Sequence, residues 1–174
     1  ARLRAMVALQ YVSGRTASPL LRTVLSDPSE DLRLLAYGML DTLEKRINSS
    51  IDVEMSALQD AQESGGGTGT RALESAQRLS DLYWELIYQD LVQGDLRKHA
   101  AQESLRYCER VLAEQTDNAQ LHLRRGRLLH EQKRTDEAAR AYARARELGL
   151  PATRVLPYQA ELCFERKDFA QARV

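Results

Sequence analysis

Apolar residues recur along this chain three and four positions apart, and almost never alternate one by one between turn residues. That periodicity predicts helices nearly throughout and no strands. The first helix is expected from Arg2 to Val12, with Leu3, Met6, Val7 and Leu9 inward and Ser13-Gly14 as its stop. Ser18-Pro19 then reads as an N-cap followed by proline at the first helical position, where its missing N–H costs nothing. Leu20, Leu21, Val24 and Leu25 form the inner face of this second helix, which Asp27-Pro28 ends. A long third helix starts at Ser29 or Glu30 and is expected to reach about Gln62, with Leu32, Leu35, Ala36, Met39, Leu40, Leu43 and Ile47 on one side. A fourth runs from Arg71 or Ala72 to about Gln93, a fifth from Gly94-Asp95 to about Gln115, and Thr116-Asp117-Asn118 makes the next turn. The segment Ser64-Gly65-Gly66-Gly67-Thr68-Gly69-Thr70 breaks all periodicity and reads as a flexible loop, because glycine-rich sequence loses too much entropy to hold one shape unaided.

Near the end of the chain one spacing repeats. Gly126 corresponds to Ala160, Leu129 to Cys163, Lys133 to Lys167 and Ala138 to Ala172, each 34 residues on; Leu121 to Val155, Leu128 to Leu162 and Glu131 to Glu165 keep that register. This is the period of tetratricopeptide (TPR) units, helix–turn–helix modules that stack into a solenoid. Gly126 and Ala138 are the small residues where the paired helices meet, Tyr142 and Ala145 fill the next turns, and Gly149 and Pro151 close the unit. One period earlier Val92 stands opposite Gly126 and Cys108 opposite Tyr142, a poorer fit that implies a lengthened second helix. The stretch Leu20 to Leu43, with Pro19-Leu20-Leu21, Asp27-Pro28, Asp31-Leu32-Arg33 and Ala36, resembles a HEAT repeat, in which the Asp and the Arg tie neighbouring repeats together. The predicted fold is therefore all-α, an α-solenoid of helix hairpins. Its parts are a HEAT-like module over residues 1–63, the loop 64–70, and TPR-like repeats over 71–174, divided at 71–118, 119–152 and a truncated 153–174.

The chain has 174 residues, enough to bury a core as one array or two small modules. Its 25 Lys plus Arg match 25 Asp plus Glu, so no net charge drives it to nucleic acid or acidic lipid. Residues 119–174, however, hold 12 basic and 7 acidic side chains, a local +5 against an acidic remainder. Basic residues there alternate with Glu131, Glu137, Glu147 and Glu165 and stacking aromatics are few, so nucleic acid is not the expected partner. No run of apolar residues is long enough to span a membrane, and no secretory signal is present. The chain opens on Ala1 rather than Met and stops at Val174 inside a helical pattern, which is expected of a piece of a longer protein.

Catalytic chemistry is not expected. The glycine run lacks the Gly-Lys-Ser/Thr ending of a phosphate loop and no strand precedes it. His122 and His130 lie eight apart and His99 has no ligand at metal spacing. Cys108 and Cys163 fall at apolar positions and read as small buried groups in a reducing compartment rather than as a disulfide. No cofactor or metal site is expected, and no carboxylate pair is set up for acid–base work. A binding surface is. In a TPR unit the inner face of the first helix lines the concave groove, which here carries Gln120, Leu123, Arg124, Arg127 and His130, then Arg154, Tyr158, Glu161 and Glu165. Arg124, Arg127, Arg154 and Tyr158 are the candidate partner-binding residues, suited to an acidic extended segment or helix; the other reading is that they are solvated charges on a polar face. Trp84 reads as a core side chain near the junction of the modules.

The segment Asp31 to Asn48, with Ala36-Tyr37-Gly38-Met39-Leu40-Asp41 and Glu44-Lys45 at its centre and TPR-type units downstream, resembles the cytoplasmic region of the PelE family. These proteins are inner-membrane components of the bacterial Pel exopolysaccharide synthesis and export machinery. The resemblance implies membrane helices before Ala1, a location on the cytoplasmic side of the inner membrane, and no catalytic role. It implies partners among PelD, the cyclic di-GMP receptor, the transporter-like PelG and the glycosyltransferase PelF. It supplies no binding residues.

Overall fold

The computed structural model describes residues 2–63 and 69–167. Among them there are eight α-helices and no strand: α1 (Arg2–Leu9), α2 (Gly14–Val24), α3 (Glu30–Glu63), α4 (Thr70–Tyr88), α5 (Gly94–Glu114), α6 (Ala119–Glu131), α7 (Thr135–Glu147) and α8 (Ala152–Glu165). Each helix packs chiefly on its neighbours in sequence, α3 on α4, α4 on α5, α5 on α6, α6 on α7, and α7 on α8. The side chain of Leu3, most of the glycine-rich loop (64–68) and the end of the last expected repeat, including Ala172, lie outside the described residues.

Three turns end their helices alike. After α4, Asp90 adopts φ 56°; after α6, Lys133 adopts φ 61°; after α8, Lys167 adopts φ 59°. At the first two, the amide of this left-handed residue donates three residues back and the next amide donates five back: Asp90 to Ile87 and Leu91 to Leu86, Lys133 to His130 and Arg134 to Leu129. Lys133 and Lys167 are 34 residues apart, as the sequence period requires. Asp90 and Lys133 are 43 apart. The difference arises chiefly because α5 has 21 residues and α7 has 13. The sequence register that sets Val92 against Gly126 therefore does not hold: Val92 is buried in the turn between α4 and α5, whereas Gly126 is inside α6. The same left-handed turn stops α4 at Tyr88, short of the expected Gln93.

The helix pairs meet at small residues. Ser80 of α4 and Ser104 of α5 are fully buried and exchange hydrogen bonds, each hydroxyl donating to the other's backbone carbonyl at 2.9 and 2.8 Å. Gly126 faces the ring of Tyr142, so closely that a Cβ there would lie 2.4 Å from Cε1. Ala138 is fully buried on α7. Two apolar clusters result. The larger runs from Ile47 on α3 to Leu162 on α8; the smaller contains Met6, Ala17, Leu21, Leu32 and Ala36. Helix α3 contributes to both and is the covalent spine between them.

The N-terminal helices depart from the expected pattern. Helix α1 ends at Leu9, with Val7 exposed, and α2 begins at Gly14 rather than at Ser18. Ser18 is not a cap: it is fully buried, and its hydroxyl donates to the carbonyl of Gln89 at 2.5 Å. Leu20 faces outward. The cause is tertiary. This face of α2 sits on the end of α4, where Gly14 closes on the Gln89 side chain, Arg15 pairs with Glu85 and Arg22 lies 3.1 Å from Asp90. Arg33 does not bridge to another repeat; its Nη1 donates to the carbonyls of Asp27 and Pro28 in its own turn. Thr70, expected in the loop, is the first residue of α4.

Candidate functional site

Helices α4, α6 and α8 present one face each to a common cleft. On α4, Trp84 and Tyr88 alternate with Asp81 and Glu85 at three- and four-residue spacing, which puts all four on one side. On α6 the same spacing aligns Gln120, Leu123, Arg124 and Arg127; on α8 it aligns Arg154, Tyr158, Glu161 and Glu165. The cleft has two adjoining halves. The first, of about 320 Å³, is lined by all four candidate residues, Arg124, Arg127, Arg154 and Tyr158, together with Trp84, Tyr88 and Arg15. The second, of about 480 Å³, shares Trp84, Tyr88, Arg127 and Tyr158 with the first and adds Tyr142, Glu161 and the residues around Glu165.

Arg127 is the partition. Its guanidinium lies 4.4 Å from the centre of the Trp84 ring and 4.6 Å from that of Tyr158, with Tyr88 at 5.7 Å. Tyr158 in turn stacks on Tyr142, centres 6.0 Å apart. The result is a column of planar groups drawn from four helices, α4, α6, α8 and α7. Cation–π contacts of this kind contribute about 0.5–2 kcal/mol each, more as water is excluded.

The arginines are not equivalent. Arg15 is held by Glu85 in a forked pair, Nε and Nη2 donating at 2.8 Å, and this bond raises the Arg15 pKa. Arg124 is ion-paired with Asp81. Arg127 and Arg154 have no carboxylate partner among the described residues. In the second half, Glu165 accepts from Lys133 at 3.2 Å and lies 3.2 Å from His130 Nε2. Those contacts, Lys133 first, hold its carboxyl below the ordinary range. Tyr142 is fully buried, its hydroxyl has no partner, and burial pushes its pKa up.

Trp84, read from the sequence as a core side chain, packs on the main cluster with one part and lines the cleft with another. Arg15 escaped the sequence reading altogether, since nothing local links α2 to a face built by helices 70 and more residues later. The histidines and cysteines behave as structural groups. Cys108 is buried and donates to the carbonyl of Leu121 at 3.4 Å; burial pushes its thiol up to about 12. Both cysteines are free, and no group of three or more metal-ligating side chains occurs among the described residues. No described helix is long and apolar enough to cross a membrane. No protein-family model matches the chain, and neither a curated protein nor a solved structure matches it.

Proposed function

We propose that this chain is a non-catalytic scaffold for protein–protein interaction, an α-solenoid whose HEAT-like N-terminal helices precede TPR-type repeats. The observation that carries this reading is the recurrence of one left-handed turn at Lys133 and Lys167, one period apart, with the first helix of each hairpin contributing to a shared cationic, aromatic cleft. Stacked hairpins of this kind form extended surfaces for partners. Following the resemblance of Asp31 to Asn48, the scaffold serves the cytoplasmic side of an inner-membrane complex for Pel exopolysaccharide synthesis and export, attached through segments outside this chain. Its partners in that reading are PelD first, then PelG and PelF.

The test is retention. This fragment, immobilised, is challenged with PelD, PelG and PelF in turn; capture of at least one supports the pathway, and loss of all three overturns it. A second reading, a general TPR-type adaptor that captures a short acidic peptide, is favoured by the uncompensated charges of Arg127 and Arg154. It predicts capture of such peptides without any of the three proteins. Charge reversal is best placed at Arg127 and Arg154, because at Arg124 it would also set two acids side by side with Asp81.

A further inference from the structure

We propose that the two halves of the cleft form one polarised channel for an extended segment of a partner protein, acidic where it crosses Arg127 and Arg154 and neutral or basic where it passes Tyr142 and Glu161. This rests on the scaffold reading above and adds the chemistry of what the scaffold holds.

The polarity follows from which charges are already spent within the fold. Glu85 neutralises Arg15 and Asp81 neutralises Arg124, so the first half keeps two uncompensated cations, Arg127 and Arg154. In the second half Glu131 pairs with Arg97 and Glu165 with Lys133, which leaves Glu161 exposed and without an ion pair among the described residues. Arg127 is also oriented for the task. A guanidinium donates only in its own plane, so rings stacked on its faces leave its N–H edge open to a carboxylate. The aromatic neighbours fix that plane before any partner arrives, and a planar fork suits two-point carboxylate binding. Beyond Arg127, the buried Tyr142 hydroxyl lines the second half with no partner of its own, a donor placed for a peptide carbonyl or side-chain oxygen.

The same layout argues for a peptide over a nucleic acid. A phosphodiester chain carries charge at every step and would run from Arg154 onto Glu161. A peptide can confine its acid to one end. Arg154 and Glu161 are seven residues apart on α8, about 10 Å along the helix axis. An extended peptide covers that distance in about three residues. The preferred segment thus has an acidic residue and, about three positions away, a neutral or basic one.

Three blocked synthetic peptides test this: one with two aspartates followed three positions on by a lysine, one with that lysine changed to aspartate, and one with the aspartates changed to asparagine. Binding is measured by calorimetry at low and high salt, beside a single-stranded oligonucleotide of equal charge to the all-acid peptide. The expected order is bipolar, then all-acid, then amide, with the bipolar peptide weakened by salt. Arg154 is exposed, so Arg154→Gln should melt like the parent while weakening the bipolar peptide by about tenfold, the scale of a lost charge-assisted contact. Glu161→Gln should raise the all-acid peptide towards the bipolar one. Equal binding of the bipolar and amide peptides, tighter binding of the oligonucleotide, an all-acid preference unmoved by Glu161→Gln, or no peptide binding at all would each overturn the proposal. Its failure is separable from that of the pathway: partners retained by an Arg127→Gln/Arg154→Gln double variant leave the scaffold standing without this channel. Peptide binding in a chain that retains no Pel protein leaves the channel without that pathway.

Discussion

Gly126 has no room for a side chain. A Cβ would meet the Tyr142 ring at 2.4 and 2.5 Å, and that ring is fully buried and cannot swing away. Gly126→Ala is therefore expected to cost about 1–3 kcal/mol by overpacking. In a chain of this size that lowers the melting temperature by about 2–4 °C per kcal/mol. A bulky residue at Ala138, fully buried where α7 meets α6, should act in the same direction. An unshifted melt would mean that the repeat phase is wrong. Glu165 makes a pH-dependent contribution. Its carboxyl is held below the ordinary range by Lys133 and His130, so the folded state favours the ionised form. The associated stability is complete above the ordinary carboxylate range and is lost as pH falls through and below it. Melting temperatures of the parent and Glu165→Gln should differ most near neutral pH and converge in acid; a gap that persists unchanged at low pH would contradict this.

Among the elements, α3 matters most because both apolar clusters use it. Lys45 is exposed at the crossover, paired only with Asp41 one turn back. Lys45→Pro removes one helical hydrogen bond and clashes with the preceding turn, costing about 3 kcal/mol or more. Limited proteolysis should then cut near residue 45 in the variant and not in the parent. How far each element was legible depends on where its causes lie. Helices α6 and α7 could be placed closely because their signals are local: Asn118 caps α6 by accepting from the Leu121 amide, and Gly149, at φ 89°, ends the unit. The turn after α4 was not legible, because its left-handed residue is Asp90 and no glycine marks it. The start of α2 was misread for the opposite reason. Ser18-Pro19 carries a strong local signal, yet contacts of Gly14, Arg15 and Ser18 with α4 extend the helix past it. The cleft shows the same division. Arg124, Arg127, Arg154 and Tyr158 fell out of helical spacing, whereas the pairing of Arg124 with Asp81 and the arrival of Arg15 are tertiary facts.

Taken as a whole, the molecule is unevenly held. The small cluster under α1 and α2 has three large side chains, Met6, Leu21 and Leu32, at about 2 kcal/mol each when buried. Ordering the 8- and 11-residue helices above it costs about 1–2 kcal/mol per residue in backbone entropy alone. These helices therefore lean on α3 and on the polar contacts to the end of α4, the Arg15–Glu85 pair and the Ser18 hydrogen bond. Amide exchange should be fastest in α1 and α2 and slowest in α4 to α7, where Ser80, Ser104 and Tyr142 lock neighbouring helices together. Uniform protection along the chain would refute that unevenness. Opening of α1 and α2 would also withdraw Arg15 from the cleft wall, which links the two ends of the chain energetically.

Trp84 is the protein's one tryptophan, and it stands beneath Arg127 in the middle of the cleft. Its fluorescence consequently reports from that single spot. Any molecule that draws the guanidinium off the indole face should change the intensity or the colour of the emitted light, so occupancy can be followed by eye of the spectrometer with no attached dye.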